Sequence, residues 1–258
     1  MTRLATATRL RLRELTRQPF TLAMLLVLPP TVIEMYGLAM ASFPQLPSLG
    51  TDPKTAGYLT GTLFAVAFLA GLVGLFQVIG ARRGDERAAV AGFPRRTMLA
   101  SRLVAMVAVV LAATAIAAAV LAYRVDVADA ALAVGVLALA GLVYGLLGVA
   151  VGTLVPRELE GSIVLVFLAD LDNALSSGLF PVTYGVDLPV LGEVTAPELL
   201  PLYHPHALFT SAVLDGSIAA GHVGPSLAWV AGLVVVAFLA YGRSTGEGWA
   251  GLAGRVGG

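Results

Sequence analysis

TAGYLTGTLFAVAFLAGLVGLFQVIGA, residues 55–81, runs from Lys54 to Arg82 as 27 residues without one charged side chain. A helix rises 1.5 Å per residue, so about 20 residues cross the ~30 Å hydrocarbon core of a bilayer. This stretch therefore reads as a membrane span. Three more have the same character: 21 residues between Arg102 and Arg124, 27 between Asp129 and Arg157, and 27 between Asp215 and Arg243. Their interiors are Leu, Val and Ala interspersed with glycines, as expected where helices pack closely in lipid. Composition agrees. Hydrophobic residues make up 58% of the 258 and charged residues 12%. A soluble domain carries about 25% charged residues, so this chain lacks the polar surface to cover itself in water. It has no cysteine, which excludes disulfides and cysteine metal sites.

Two further spans each contain acids. One runs over residues 20–42 with Pro29, Pro30 and Glu34, the prolines predicting a kink. The other runs over 162–183 with Asp170 and Asp172. Loop charge decides the count. With six spans and the N-terminus inside, 14 basic residues lie on the cytoplasmic side and two, Lys54 and Arg124, on the other. That split obeys the positive-inside rule, and removing either acid-bearing span spoils it. The sequence thus predicts an all-α integral membrane protein with both termini cytoplasmic. Its spans fall near 20–42, 57–80, 99–123, 130–155, 162–183 and 223–242, forming one transmembrane domain over 20–258.

Residues 1–19 precede the first span. Leu4, Leu12 and Leu15 share one helical face, and Arg3, Arg9, Arg13, Glu14 and Arg17 crowd the other. This predicts an amphipathic elbow helix on the membrane surface, with Arg9, Arg13 and Arg17 toward anionic lipid. The long basic region, the long apolar run and Glu34 within it argue against a cleaved signal peptide.

No catalytic constellation is visible. The chain has no GxxxxGK[ST], no GxSxG and no HExxH. His204 and His206 flank Pro205 without visible further metal ligands. Three segments carry more information. The loop RRGDERAAVAGFPRR, residues 82–96, predicts a short helix from Glu86 to Ala91, with Asp85 as N-cap and Gly92 and Pro94 as the stop. A helix this short needs a membrane surface or a partner. The intramembrane acids come second. Glu34 falls in the outer half of its span, and Asp170 and Asp172 near the midplane. Asp170, Asn173 and Ser177 share one helical face, Asp172 and Ser176 another. Such acids serve as polar glue between helices or mark a substrate path. The third is the apolar segment 184–222. Thr195 and Glu198 fit a capping box there, and a short helix fits from His206 to Leu214. It predicts a re-entrant helical segment between spans five and six.

Together these features resemble the permease subunits of type-2 class ABC exporters, the drug-, lipid- and glycoconjugate-export branch. Arg11 to Pro19 looks like the family's elbow. Glu86 to Arg96 is similar to its coupling-helix loop. Ser177-Gly178-Leu179-Phe180-Pro181 resembles the motif late in its fifth span, and Pro201-Leu202-Tyr203 with Ala212 to Gly216 its external segment. The resemblance implies a non-enzymatic permease in a prokaryotic plasma membrane. It would bind no cofactor itself and no nucleic acid. A second, identical or homologous permease would pair with it. Two copies of a cytosolic ABC ATPase would use ATP and magnesium and grip Asp85, Glu86, Arg87, Val90 and Phe93. The substrate path would pass Glu34, Asp170, Asp172 and Asn173. The acids point to a cationic or hydroxyl-rich substrate, and the 7% aromatic content favours a small amphiphile, drug or lipid over a long glycan. Two other readings share the topology: an ion-coupled secondary transporter using the acids, and a non-transporting immunity or assembly protein.

Overall fold

The computed structural model describes residues 19–45, 49–180, 184–188 and 192–244, with 9, 10, 13, 17 and 182 as isolated positions. The charge-free stretches form long helices. α1 (Pro19–Met40) runs unbroken through Pro29 and Pro30, and the Thr31 hydroxyl donates to the Val27 carbonyl at 2.7 Å. α2 (Pro53–Ile79) begins on an Asp52 N-cap whose carboxylate accepts from Thr55 N at 3.0 Å. The short α3 (Arg82–Val90) leads into α4 (Arg95–Arg124). α5 (Ala130–Leu154) is capped by Asp129, which accepts from Leu132 N at 2.9 Å. α6 (Glu158–Ser176), α7 (Tyr203–Leu214) and α8 (Val223–Ser244) follow in chain order.

Among the described residues, five stretches are long and apolar enough to cross a membrane: Thr21–Met40, Pro53–Ile79, Thr97–Arg124, Ala130–Leu154 and Ala220–Tyr241. α6 is the remaining long helix. It holds Glu158, Glu160, Asp170 and Asp172 among its 19 residues. α2 is the axis of the bundle, packed against α1, α4, α5 and α6 and buried almost all round. Its closest approach is to α5. A Cβ on Gly148 would stand 1.9 Å from the Gly71 carbonyl oxygen, and one on Gly74 would stand 2.2 Å from that of Gly145. Only glycine lets these backbones approach so closely, the small-residue packing that lipid-embedded helices use in place of a hydrophobic driving force. The outward faces remain apolar, with Leu26, Leu111, Phe167 and Leu239 exposed, as a lipid solvent requires.

The structure departs from expectation at three places. α3 begins at Arg82, so Asp85 sits inside the helix and not at its N-cap. Continuation from α2 through only Gly80 and Ala81 supplies the start that a cap would otherwise provide. The stop is at Gly92, whose φ of 81° is the left-handed conformation that ends helices. α6 ends at Ser176, short of residue 183, because Gly178 takes φ of 76°. Beyond it the chain forms an antiparallel hairpin, β1 (Gly185–Leu188) with β2 (Gly192–Thr195), in the register Gly185 to Thr195 and Leu188 to Gly192. A single 3-10 turn, Ala196–Leu199, follows. Thr195 and Glu198 do meet, Thr195 Oγ1 donating to Glu198 Oε1 at 3.0 Å, but no backbone N–H is capped by the Thr195 side chain. α7 starts three residues earlier than expected, with Pro205 in its first turn, and ends before Gly216 at φ of 62°. The elbow helix over 1–19 lies largely outside the described residues. Arg9, Arg13 and Arg17 are described and exposed.

Candidate functional site

Two polar clusters are set into this apolar bundle, at opposite ends. The first holds α3 in place. Asp85 is 3% exposed, and its carboxylate accepts from Arg102 Nη2 at 2.6 Å and from the Tyr241 hydroxyl at 2.5 Å. Arg102 is 1% exposed and also donates through Nη1 to the Gln77 carbonyl. One carboxylate thus ties α3 to α4 and α8, and through Arg102 to the end of α2. Arg82 Nη2 adds bonds to the Gly152 and Val155 carbonyls at 2.9 and 3.1 Å, closing the end of α5. A buried charge pair needs further hydrogen bonds to offset its desolvation, and both partners have them, from Tyr241 to Asp85 and from Arg102 to the Gln77 carbonyl, while Arg102 Nε is buried without one. The outward side of α3 differs. Val90 is 92% exposed, Arg87 is exposed and Phe93 is half-buried, its N–H donating to the Ala88 carbonyl at 2.9 Å. The Glu86 side chain lies outside the described ones.

The second cluster sits at the far end of α6. Asp172 is 3% exposed. Its oxygens accept from the Tyr144 hydroxyl at 2.5 Å, from Ser176 Oγ at 2.7 Å, and from Leu202 N at 3.1 and 3.3 Å. The carboxylate therefore pins α5, α6 and the lead-in to α7 together. Asn173 is buried beside it and donates through Nδ2 to the Tyr36 hydroxyl of α1 at 3.1 Å. Glu34 accepts from Arg124 Nε at 2.6 Å, an ion pair joining α1 to the end of α4. Asp170 alone of these acids is exposed and has no hydrogen bond or ion pair among the described residues. It lies in a groove on α6 with Ser162, Ile163, Val166, Phe167 and Leu171. Asp170 and Asn173 thus part company despite their predicted common face. Asn173 lies about 60° further round, far enough to turn into the bundle.

α7 packs on the bundle at this same end. Its last turn accepts from the α4–α5 connection, Ala128 N to the Val213 carbonyl at 2.9 Å. His206 Nε2 lies 3.3 Å from Thr60 Oγ1 of α2, and burial pushes this imidazole down to about 4. His204 Nε2 lies 3.0 Å from the Glu198 carbonyl, which only accepts, so Nε2 carries the proton and Nδ1 accepts from His222 Nδ1 at 3.0 Å. Burial, and then the neighbouring His222, hold His204 below the usual histidine range. No group of three or more metal-ligating side chains exists among the described residues.

The partners Arg102, Tyr241, Tyr144, Tyr36 and Arg124 were not singled out from sequence. Two of them carried a signal. Arg102 lies about two turns inside α4, and Tyr144 interrupts the apolar run in the middle of α5. A charge or a hydroxyl in lipid-depth sequence demands a partner.

The sequence model described as ABC-2 family transporter protein matches residues 32–241, which takes in both clusters and ends at Tyr241. The chain belongs to the ABC-2 transporter family. It is a multi-pass membrane permease, the non-catalytic subunit of an ABC transporter that works with a partner ATPase. No characterised protein among those compared matches this ABC-2 permease.

Proposed function

We propose that this permease exports a small amphiphile, drug or lipid-like molecule across a prokaryotic plasma membrane, driven by a cytosolic ATPase that grips α3. In this reading α6 crosses the membrane as a sixth span, the basic end carrying α3 faces the cytoplasm, residues 1–19 form the surface elbow, and the segment around α7 dips back from the outer side. Two permeases pair, and each engages one ATPase copy, where ATP and magnesium are used.

The observation that carries the proposal is the construction of α3. A nine-residue helix is too short to hold itself. It is anchored from behind by buried Asp85, Arg102 and Tyr241, it leaves Arg87 and Val90 exposed, and half-buried Phe93 follows just beyond its end. Force applied to that face passes through one carboxylate into α4 and α8. Asp85 is therefore the anchor of a coupling helix, while the ATPase contact falls to Arg87, Val90 and Phe93. The test is co-purification of the chain with its ATPase, followed by ATP hydrolysis. Val90→Glu should release the ATPase. Asp85→Asn should retain the ATPase but break the link between hydrolysis and transport. An ATPase that binds equally well to Val90→Glu would refute α3 as the docking face.

A further inference from the structure

Four polar residues stand in the region through which the proposed substrate would pass, and the structure separates them. Glu34 is paired with Arg124. Asn173 is buried against Tyr36. The Asp172 oxygens are taken up by Tyr144, Ser176 and the Leu202 backbone. Glu34 and Asp172 cannot meet a ligand without first giving up a bond inside the protein, and Asn173, whose Oδ1 has no partner, is only 1% exposed. Asp170 makes no hydrogen bond or ion pair among the described residues. Its neighbours in the groove are Ile163, Val166, Phe167 and Leu171, with Ser162 at the other end, eight residues and about 12 Å away along the helix.

We infer that Asp170 is the recognition charge of this groove and that it takes the cationic head of an elongated amphiphile whose apolar body lies along Phe167, Val166 and Ile163. The chemistry selects this class over others. A hydroxyl-rich ligand needs several convergent donors and acceptors, and the groove offers two polar side chains at its extremes. A divalent cation needs several oxygen ligands, and the groove holds one carboxylate. A carboxylate without a partner among the described residues, at one end of an open apolar groove on a single face of α6, fits one positive charge at one end of an apolar molecule. Charge complementarity at Asp170 is thus the argument for a ligand over a second copy of the chain on this face. The inference rests on the transport reading above for its physiological meaning, but the groove can be tested without it.

The test uses the full chain in lipid nanodiscs with dodecyltrimethylammonium as cationic probe and a neutral dodecyl amphiphile of the same length as control. Direct binding is measured by equilibrium dialysis. The cation should bind at least tenfold more tightly than the neutral probe. Asp170→Asn should abolish that preference, and Asp170→Glu should restore most of it. The chain contains no cysteine, so Phe167→Cys supplies a unique thiol. The cationic probe should protect this thiol from maleimide. Equal cation binding by wild type and Asp170→Asn would overturn the inference. So would a spontaneous disulfide between two Phe167→Cys chains that the probe does not suppress, because a second copy would then occupy the groove. Failure of any ATPase to associate would refute the transport reading and leave these binding outcomes to decide the groove separately.

Discussion

Asp172 shows how one residue can be legible as important and illegible in its role. A carboxylate near the middle of a span is costly wherever it is found, so sequence marks it. Ser176 is four positions on and shares its face, but its other partners lie 28 and 30 positions away, and one of these is a backbone N–H that no side-chain pattern reports. Asp172→Ala should leave the Tyr144 hydroxyl and the Leu202 N–H without acceptors. Stranded buried donors cost about 1–3 kcal/mol each, so a drop of about 3 kcal/mol is expected, read as a lowered midpoint of unfolding in detergent. An unchanged midpoint would contradict the pinning role. His206 gives a second prediction at this scale. Its pKa is depressed to about 4 from an ordinary 6.5 by burial. The unfolded chain therefore takes up the proton first as pH falls. Stability should be full above about pH 6.5 and decline toward pH 4, on the order of 1–3 kcal/mol in all. His206→Gln should flatten that part of the stability profile, and an unaltered slope would reassign the effect to other groups.

Among the elements, the long helices were readable because each needs only a run of uncharged residues, and such runs are local. The failures were non-local or short. The hairpin alternates over just four residues a side, too few to distinguish from a loop. The sequence of α3 shows its stop but not its start, because a chain that enters a helix almost directly from the preceding one needs no cap. The tight α2–α5 seam was visible only as an abundance of glycine. Which glycines matter depends on a helix pairing that sequence does not report. Gly148→Ala tests the seam. Its added methyl would sit 1.9 Å from the Gly71 carbonyl oxygen, and rigid backbone offers little relief. Loss of monodisperse protein in detergent, or a fall of several degrees in the midpoint, is expected. Gly135→Ala on the same helix meets nothing within 4 Å and should be silent or slightly stabilising.

For the whole molecule, the open quantity is the number of crossings, and it turns on α6. Its 19 residues span about 28 Å, close to the hydrocarbon thickness, but four of them are acids. Two of those acids, Glu158 and Glu160, sit in the first turn, where headgroups would receive them, and Asp172 is enclosed by protein. Asp170 alone faces outward, which makes a crossing affordable. If α6 failed to cross, α8 would run in the opposite sense and carry Arg243 and Arg255 to the outside, against the charge distribution of every other loop. Single cysteines in this cysteine-free chain can decide it. An impermeant maleimide on intact cells should label Tyr184→Cys, which lies past the end of α6 at a highly exposed position. It should reach Val90→Cys and Leu159→Cys only after permeabilisation. If Tyr184→Cys and Val90→Cys both require permeabilisation, α6 folds back without crossing. The groove at Asp170 would then open to the cytoplasm, and the permease would have five spans.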